Sequence, residues 1–370
     1  LDDVVVTGYQ TISKERATGA YSIVDAETLG RKPTSNLAQA LVGLVPGLSV
    51  VSAPVDGQIR FAIRGQGTIS QVSMGGANWK ADNDPLIVVD GFPISGYMLE
   101  SDPFSSINPN DVESVTVLKD ASASALYGSK AAKGVVVITT KPLRAGKLRV
   151  SYSGTLRTSI PDVRDYDLLN AAEKLEYERL AGVYDDNGKF QYEKDTEYNE
   201  KFKRVREGVD TDWLSKPLQT VFNHTHSLYV DGGNESVRFG IELQYANQDG
   251  VMKGSLRDRM GAGVSLSYNY KTFLMKNTVT YQRVRTKESP FGNFADFAKQ
   301  LPYDTYKDEN GVYYPTMKSW GRGSESNRVN PMYEPSLHNF DKGASEEFIN
   351  NLSINWNIID GLLLKGQLSL

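Results

Sequence analysis

Cysteine is absent from all 370 residues. That excludes disulfide staples and thiolate metal sites, and it fits an extracytoplasmic protein that depends on neither. No apolar run approaches the roughly 18 residues that a membrane-spanning helix needs. The first residues, LDDVVVTGY, do not form a secretory signal. Residence in a membrane would therefore have to use a closed set of strands. Positive charge is not in excess either: 41 Lys and Arg stand against 45 Asp and Glu, a formal net charge of −4. A polyanionic partner has no electrostatic footprint here, and nucleic acid is not expected as one.

Signatures of chemistry are also missing. Gly65 and Gly67 could suggest a phosphate loop, but no GK[ST] follows them. His224 and His226 sit two apart on one strand face without a third ligand cluster nearby. The segments DDNG at Asp185–Gly188 and DENG at Asp308–Gly311 lack the ladder and closing glutamate of a calcium loop, and read as turns. No G-x-S-x-G elbow occurs, and no two of the many carboxylates are singled out as a hydrolytic pair. The expected set of catalytic residues, metals and cofactors is empty.

What is present starts with Leu86 to Lys141. It holds three strand-like apolar runs, Leu86–Val89, Val112–Leu118 and Val135–Thr140, with a short helix expected between the last two. Asp120 stands where an N-cap oxygen would meet free amides, and Gly128 where the chain must leave that helix. Upstream, Leu37, Leu41 and Leu44 repeat at helical spacing inside Pro33–Leu48, with Thr34 or Ser35 as cap and Gly43 and Pro46 as stop signals. Ile59, Phe61 and Ile63 alternate with Arg60 and Ala62 in a strand that runs into Arg64 and Gly65. Gln66–Asp84, which carries Trp79, reads as a long polar loop. The whole predicts a compact α/β module preceded by a short extended segment with three valines, Val4 to Val6.

One run of residues is long enough to carry a family resemblance. It includes Pro85, Val88, Val89, Asp90, Gly91 and Pro93, then Ile107 to Pro109, Asp111 to Val115 and Leu118 to Ala121, and finally Ala125 to Ser129, Gly134, Val135, Ile138, Thr139 and Lys141. This stretch resembles the plug domain of TonB-dependent outer-membrane transporters, most closely the SusC/RagA branch of Bacteroidetes. The resemblance implies a plug over residues 10–145, with Arg64, Gly65, Asp90, Gly91, Asp111, Glu113, Lys119, Asp120, Tyr127 and Gly128 as its motif positions. It implies that residues 1–9 contain a Ton box, Asp3, Val4, Val5, Val6 and Thr7, which the periplasmic protein TonB, powered by ExbB and ExbD, pairs with as an added strand. Trp79, Phe92 and Tyr97 would then lie on plug loops, where their rings either meet cargo or pack on the barrel wall.

Past Lys141 the texture changes to alternation of period two. Leu148, Val150, Tyr152 and Leu156 share a face opposite Arg149, Ser151, Ser153 and Arg157. Similar alternation runs through Val237–Asn247 and Met260–Tyr270, and more weakly through Phe222–Asp231, Phe273–Arg285, Phe348–Ile358 and Leu362–Leu370. Seven strands result. Their polar second face admits a soluble sandwich or a membrane barrel with a wet lumen.

Connection lengths separate these two. Tight turns fall at Gly232-Gly233-Asn234, Lys271-Thr272 and Asp360-Gly361, whereas long segments, 159–219 and 286–345, fall at the opposite end. Short turns on one side and long loops on the other are the habit of outer-membrane barrels, although the connection at Gly250–Arg257 is of modest length. Tyr245, Tyr268, Tyr270 and Trp356 suit interfacial girdles. The expected fold is thus an α/β plug followed by antiparallel transmembrane strands, residues 146–370, forming part of a barrel that in the family has about 22 strands. The chain is expected to continue beyond Leu370, and to have family segments before Leu1.

The first long loop predicts an amphipathic helix over Leu168–Gly182, with Leu168, Leu169, Ala172, Leu175 and Leu180 on its apolar side. The second is rich in aromatics, from Phe291 to Trp320 and Tyr333, and predicts an external surface for partner or cargo, or loops packed on one another. By resemblance the partners are a SusD-like surface lipoprotein, a glycan or peptide cargo, which Trp320 could also contact, and outer-membrane lipid. The implied activity is TonB-dependent import of a large nutrient. A signal-transducing receptor of the same build is the alternative, and a soluble β-rich enzyme or adhesin is a third reading.

Overall fold

The structure is a computed structural model, and it describes residues 4–6, 11–13, 20–31, 37–52, 59–63, 71–74, 77–80, 85–94, 107, 111–119, 127–128, 131, 133–186, 188, 190–320, 328–337 and 339–370. The chain opens with a small hairpin of β1 (Val4–Val6) and β2 (Thr11–Ser13), in which Val5 lies opposite Ile12. Next come β3 (Tyr21–Asp25), α1 (Ala26–Gly30), α2 (Leu37–Leu41), and a hairpin of β4 (Leu48–Ser52) with β5 (Ile59–Ile63). A second hairpin, β6 (Gln71–Met74) with β7 (Ala77–Lys80), occupies the stretch expected to be a plain loop. Backbone pairing there needs no apolar alternation, which is why the polar sequence did not announce it.

A five-stranded sheet organises the first part. It consists of β3, β8 (Leu86–Val89), β9 (Phe92–Ile94), β10 (Val112–Leu118) and β11 (Val135–Thr140), in the order β3-β10-β11-β8-β9, with only β11 and β8 parallel. Both faces are covered, so β11 opens with the unbroken apolar run VVVI, all four of its side chains buried. On one side Val115, Val117, Val136 and Ile138 pack with Leu29, Leu37, Ala40, Leu41 and Val45 from the helical segment. On the other, Leu86, Val88, Leu118, Val135 and Val137 form a second cluster with Ala131, against which Tyr21 and Tyr127 rest. Two apolar layers around one short sheet make this module a folded unit with its own core.

The second part is a seven-stranded antiparallel sheet of β12 (Gly146–Ser159), β13 (Val221–Gly233), β14 (Val237–Asp249), β15 (Leu256–Tyr270), β16 (Phe273–Lys287), β19 (Lys342–Ile359) and β20 (Leu362–Ser369), in sequence order. The two-residue strands β17 (Thr316–Met317) and β18 (Arg328–Val329) pair in the loop between β16 and β19. All seven expected strands are present and the tight turns fall where they were expected; the sheet is open, not a closed barrel.

Register exposes how the two faces differ. Tyr152, Leu228, Leu243, Ala262, Tyr281 and Phe348 align in one row across six strands, and Val150, Val230, Ile241, Val264 and Val279 in the next. This apolar face is the open one: Leu148, Val150, Tyr152, Ile241, Leu243, Val264, Leu266 and Phe348 are exposed. The buried side chains of the sheet belong to the opposite face and are mostly polar: Ser227, Asp231, Arg259, Ser267 and Gln282. A soluble sandwich would bury the first face and wet the second. The arrangement is inverted, as it must be where lipid is the outer solvent. Among the described residues no helix is long and apolar enough to cross a membrane, so the strands are the candidates to do so.

Candidate functional site

The plug module's motif residues are placed by backbone geometry. Asp90 and Gly91, with φ of 49° and 89°, form the two-residue turn between β8 and β9, where both central positions need positive φ. The Asp90 carboxylate then accepts hydrogen bonds from the backbone N–H of Thr140 (2.9 Å) and from its hydroxyl (2.6 Å), tying the end of β11 to β8. Lys119 donates to the carbonyl of Pro46 at 2.7 Å, bridging the end of β10 to the helical segment. Asp111 offers its carbonyl to the N–H of Lys141 at 2.8 Å, and Glu113 sits at the register shift between Val112 and Ser114. Gly134, φ 95°, admits nothing larger: a Cβ there would lie 2.8 Å from Ile63 Cδ1 and 2.9 Å from the Leu118 carbonyl. These positions hold the plug's fold together.

Of the other expected positions, Phe92 is buried in the plug core, so its ring is not offered to solvent. Asp3, Thr7, Arg64, Gly65, Tyr97, Asp120 and the side chain of Trp79 lie outside the described residues, as does most of the helix expected after Asp120. Tyr127 and Gly128 form a turn, with Gly128 at φ 67°. The plug leads into the sheet on its polar face. Arg238 of β14 donates to the Leu143 carbonyl at 3.3 Å, and Arg149 of β12 donates to the Arg144 carbonyl at 3.4 Å while pairing with Asp231 of β13. The linker is thus fastened to the face that a lumen would require.

Above the sheet the two long connections form one folded unit. Two helices build the first: α3 (Ala171–Leu180) and α4 (Gln191–Arg206). Asn170 and Glu173 make a reciprocal capping box at the start of α3, at 2.9 and 3.0 Å. The expected helix is present, but of its expected apolar side only Leu175 is buried, and Leu168 and Leu169 precede its first turn. Ala171, Leu175 and Glu178 face inward, whereas Leu168, Leu169 and Leu180 are exposed. The reason is the partner of Glu178: Lys201 of α4, only 2 % exposed, lies 3.3 Å from it and 2.8 Å from Glu197.

Aromatic residues of both connections close over that pair. The rings of Tyr184, Tyr303 and Trp320 stand 5.1, 5.1 and 5.2 Å from the Lys201 ammonium, an aromatic cage filled from within the chain. Tyr184 and Tyr303 also donate to Glu178. Burial opposes ionisation of Glu178, but these hydrogen bonds and the Lys201 charge outweigh it and hold its pKa below the usual carboxylate value. Burial, with the Glu178 charge beside them, pushes both tyrosine hydroxyls well up. Asp304, almost fully buried, accepts from Arg204 (3.3 Å), Trp320 (2.8 Å) and Arg328. Trp213, Phe297, Met317 and Met332 make a separate apolar core, flanked by Phe291, Tyr306 and Tyr313.

Of the two readings of the aromatic-rich connection, an external surface or loops packed on one another, much of it follows the second. Trp320, expected as a cargo contact, is engaged with Lys201, Arg204 and Asp304 and only partly exposed. His224 and His226 lie on the apolar face near Tyr152 and Tyr245, with the Tyr152 hydroxyl 2.6 Å from His226 Nδ1. Among the described residues no group of three His, Asp or Glu side chains could hold a metal. A folded plug fastened to the polar face of strands whose other face is apolar defines the class: a plugged barrel protein of the outer-membrane type.

Comparison with known proteins narrows the class to a family. Residues 13–135 match the family described as TonB-dependent Receptor Plug Domain. TonB-dependent receptor SusC of Bacteroides thetaiotaomicron is 29 % identical, over 96 % of this chain and 35 % of its own length. TonB-dependent receptor P3 of Formosa agariphila is 32 % identical, over 99 % of this chain and 33 % of its own. Among solved structures, that of the RagAB peptide importer in the open-open state superposes with a TM-score of 0.74 at 23 % identity, over 98 % of this chain and 42 % of that one. The chain belongs to the TonB-dependent receptors, and it is similar to SusC in sequence and to the RagAB importer in fold. It spans about a third of the length of the curated relatives it matches, which are receptors and not enzymes.

Proposed function

We propose that the chain is the plug and the opening strands of an outer-membrane importer that takes up a large nutrient, an oligosaccharide or oligopeptide, with TonB as its source of work. The observation that carries this is the plug's attachment to the polar face of lipid-facing strands through Arg238 and Arg149. Cargo would meet the loop unit above the strands, together with a SusD-like lipoprotein. The description of one structural neighbour, a RagAB peptide importer, supports the peptide reading of cargo, and that of another relative, TonB-dependent receptor SusC, supports TonB as partner.

The step is mechanical. Strand β1 pairs with β2 along one edge, and no strand of the described residues occupies its other edge. An extended segment of TonB could add there, or displace β2, and pull with several hydrogen bonds loaded together. Force on β1 would then reach the plug sheet through the chain that follows it. No residue needs to be catalytic in this scheme.

Uptake of labelled oligosaccharides and oligopeptides by cells carrying the full gene tests it. Deletion of Asp3–Thr7 should abolish uptake while leaving surface cargo binding intact. Val5→Pro should act in the same direction, because proline removes a donor and resists strand pairing. Undiminished uptake in both variants would remove the Ton-box assignment.

A further inference from the structure

Cations are unevenly placed on the apolar face of the sheet. On β16 the outward positions read, from the short-turn end, Phe273, Met275, Asn277, Val279, Tyr281, Arg283, Arg285 and Lys287; opposite them on β19 stand Trp356, Ile354, Leu352, Asn350, Phe348, Glu346, Ala344 and Lys342. Apolar side chains thus dominate up to Tyr281 and Phe348, and above that level four of the next six outward residues are basic.

Strand geometry sets the heights. Ten residue steps separate Phe273 from Arg283. At about 3.4 Å per residue and a tilt near 40°, that is roughly 25 Å along the membrane normal, the height of a barrel's apolar band. Arg285 and Lys287 therefore stand about 5 to 10 Å higher, at the depth of lipid headgroups.

The pairing at this level is unfavourable unless something neutralises it. Lys287 and Lys342 lie directly opposite each other across the antiparallel ladder, so their side chains leave the same face as like-charged neighbours. Arg283 has a partner, Glu346, at 3.2 Å. Asp258 lies across from Arg285, but accepts from Asn247 at 2.9 Å, and Ala344 on the other side of Arg285 leaves space. Neither lysine forms an ion pair among the described residues; Lys342 stands over the exposed ring of Phe340 at 4.6 Å. β16 and β19 are both interior to the sheet, so this face is not an artefact of an unpaired edge.

The geometry points to a binding site for a phosphorylated lipid of the outer leaflet, its phosphate held by Arg285, Lys287 and Lys342 and its acyl chains laid over Val279, Tyr281 and Phe348. A dianionic phosphate between two facing ammonium groups removes their repulsion and adds charge-assisted hydrogen bonds. The apolar rows directly beneath supply a surface that free phosphate cannot use. The inference rests on the outward face meeting lipid, and its test is independent of transport.

The experiment uses the full-length protein in phosphatidylcholine nanodiscs with and without bisphosphorylated lipid A, with bound lipid counted by native mass spectrometry. Wild type should retain lipid A through washing. Arg285→Gln/Lys287→Gln/Lys342→Gln should lose roughly tenfold or more in retention, each basic side chain near a charged headgroup contributing about a fivefold factor at most. Lys203→Gln/Arg206→Gln/Lys299→Gln, an equal charge change on the loop unit, should retain it. Lys342→Gln alone should raise the unfolding temperature in pure phosphatidylcholine, by relieving the lysine pair, and lower the gain that lipid A confers. Equal retention by the triple strand variant would overturn the proposal. So would equal retention of dephosphorylated lipid, or displacement of lipid A by millimolar inorganic phosphate.

Discussion

The plug and the loop unit are both small folded bodies, yet they are held by opposite means. The plug has two apolar layers around a five-stranded sheet, and its buried side chains among the described residues are valine, leucine, isoleucine, alanine and Phe92, with Thr116 among them. The loop unit buries Glu178 against Lys201, and Asp304 against Arg204 and Arg328, inside a shell of tyrosine and tryptophan. An apolar core tolerates the loss of a contact by partial collapse, at a cost that grows with the cavity. A buried ion pair tolerates the loss of a partner poorly, because the remaining charge stays desolvated. In the proposed importer, a plug remodelled during transport would be better served by the first kind of core, and a loop platform that keeps its shape by the second.

The largest effect that sharpens this contrast is expected from Lys201→Met. It should destabilise the loop unit by about 3–5 kcal/mol, since Glu178 and Glu197 keep their burial and lose the cation they share, leaving only the half-buried Lys174, 3.7 Å from Glu178. Hydrogen exchange in α3 and α4 should accelerate while the plug strands remain protected; an unchanged pattern would break the comparison. Ile138→Ala in the plug should cost about 2–5 kcal/mol, spread over β8, β10 and β11 and leaving α4 untouched.

Acid should act most on the loop unit, because the plug's one carboxylate of lowered pKa among the described residues, Asp25, is an exposed N-cap bonded to Thr28. The pKa of Glu178 is lowered in the folded state, so its contribution is complete above the unfolded carboxylate value and is lost as pH falls through the lower folded one. A fluorine label on Trp213, buried in the loop core, should therefore report loosening only at pH below about 4.5, where an ordinary carboxylate takes its proton. With Lys201→Met the same transition should move to higher pH. A label shift in wild type at neutral pH would contradict the assignment of Glu178.

The contrast also explains what the sequence could reveal. Strand alternation and tight turns are local, and from them all seven strands of the second sheet and the three central strands of the plug were legible. Asp90-Gly91 was readable as a motif, and its role as a positive-φ hairpin turn follows from the pair itself. The loop unit was not legible. Helix α4, QYEKDTEYNEKFKRVR, has no apolar stripe to detect; its signal lies in charges four apart, Glu197 with Lys201 and Lys203 with Glu207. The contact that buries Lys201 reaches Tyr303, and Tyr303 meets Glu178 across 125 positions, a separation that no local period encodes. For the same reason the apolar residues of Leu168–Gly182 marked the buried side of α3 only at Leu175, where Glu178 and not Leu180 continues it.

The central claim is that adjacent residues on one strand face different solvents. Val264, on the apolar face of β15, and Ser265, on the face that carries the plug linker, test it directly in a full-length protein reconstituted into membranes. With a bimane probe on Val264→Cys, brominated acyl chains should quench strongly and a water-soluble quencher weakly; on Ser265→Cys the order should reverse. Equal quenching of the two sites by lipid, or strong aqueous quenching at position 264, would contradict the account.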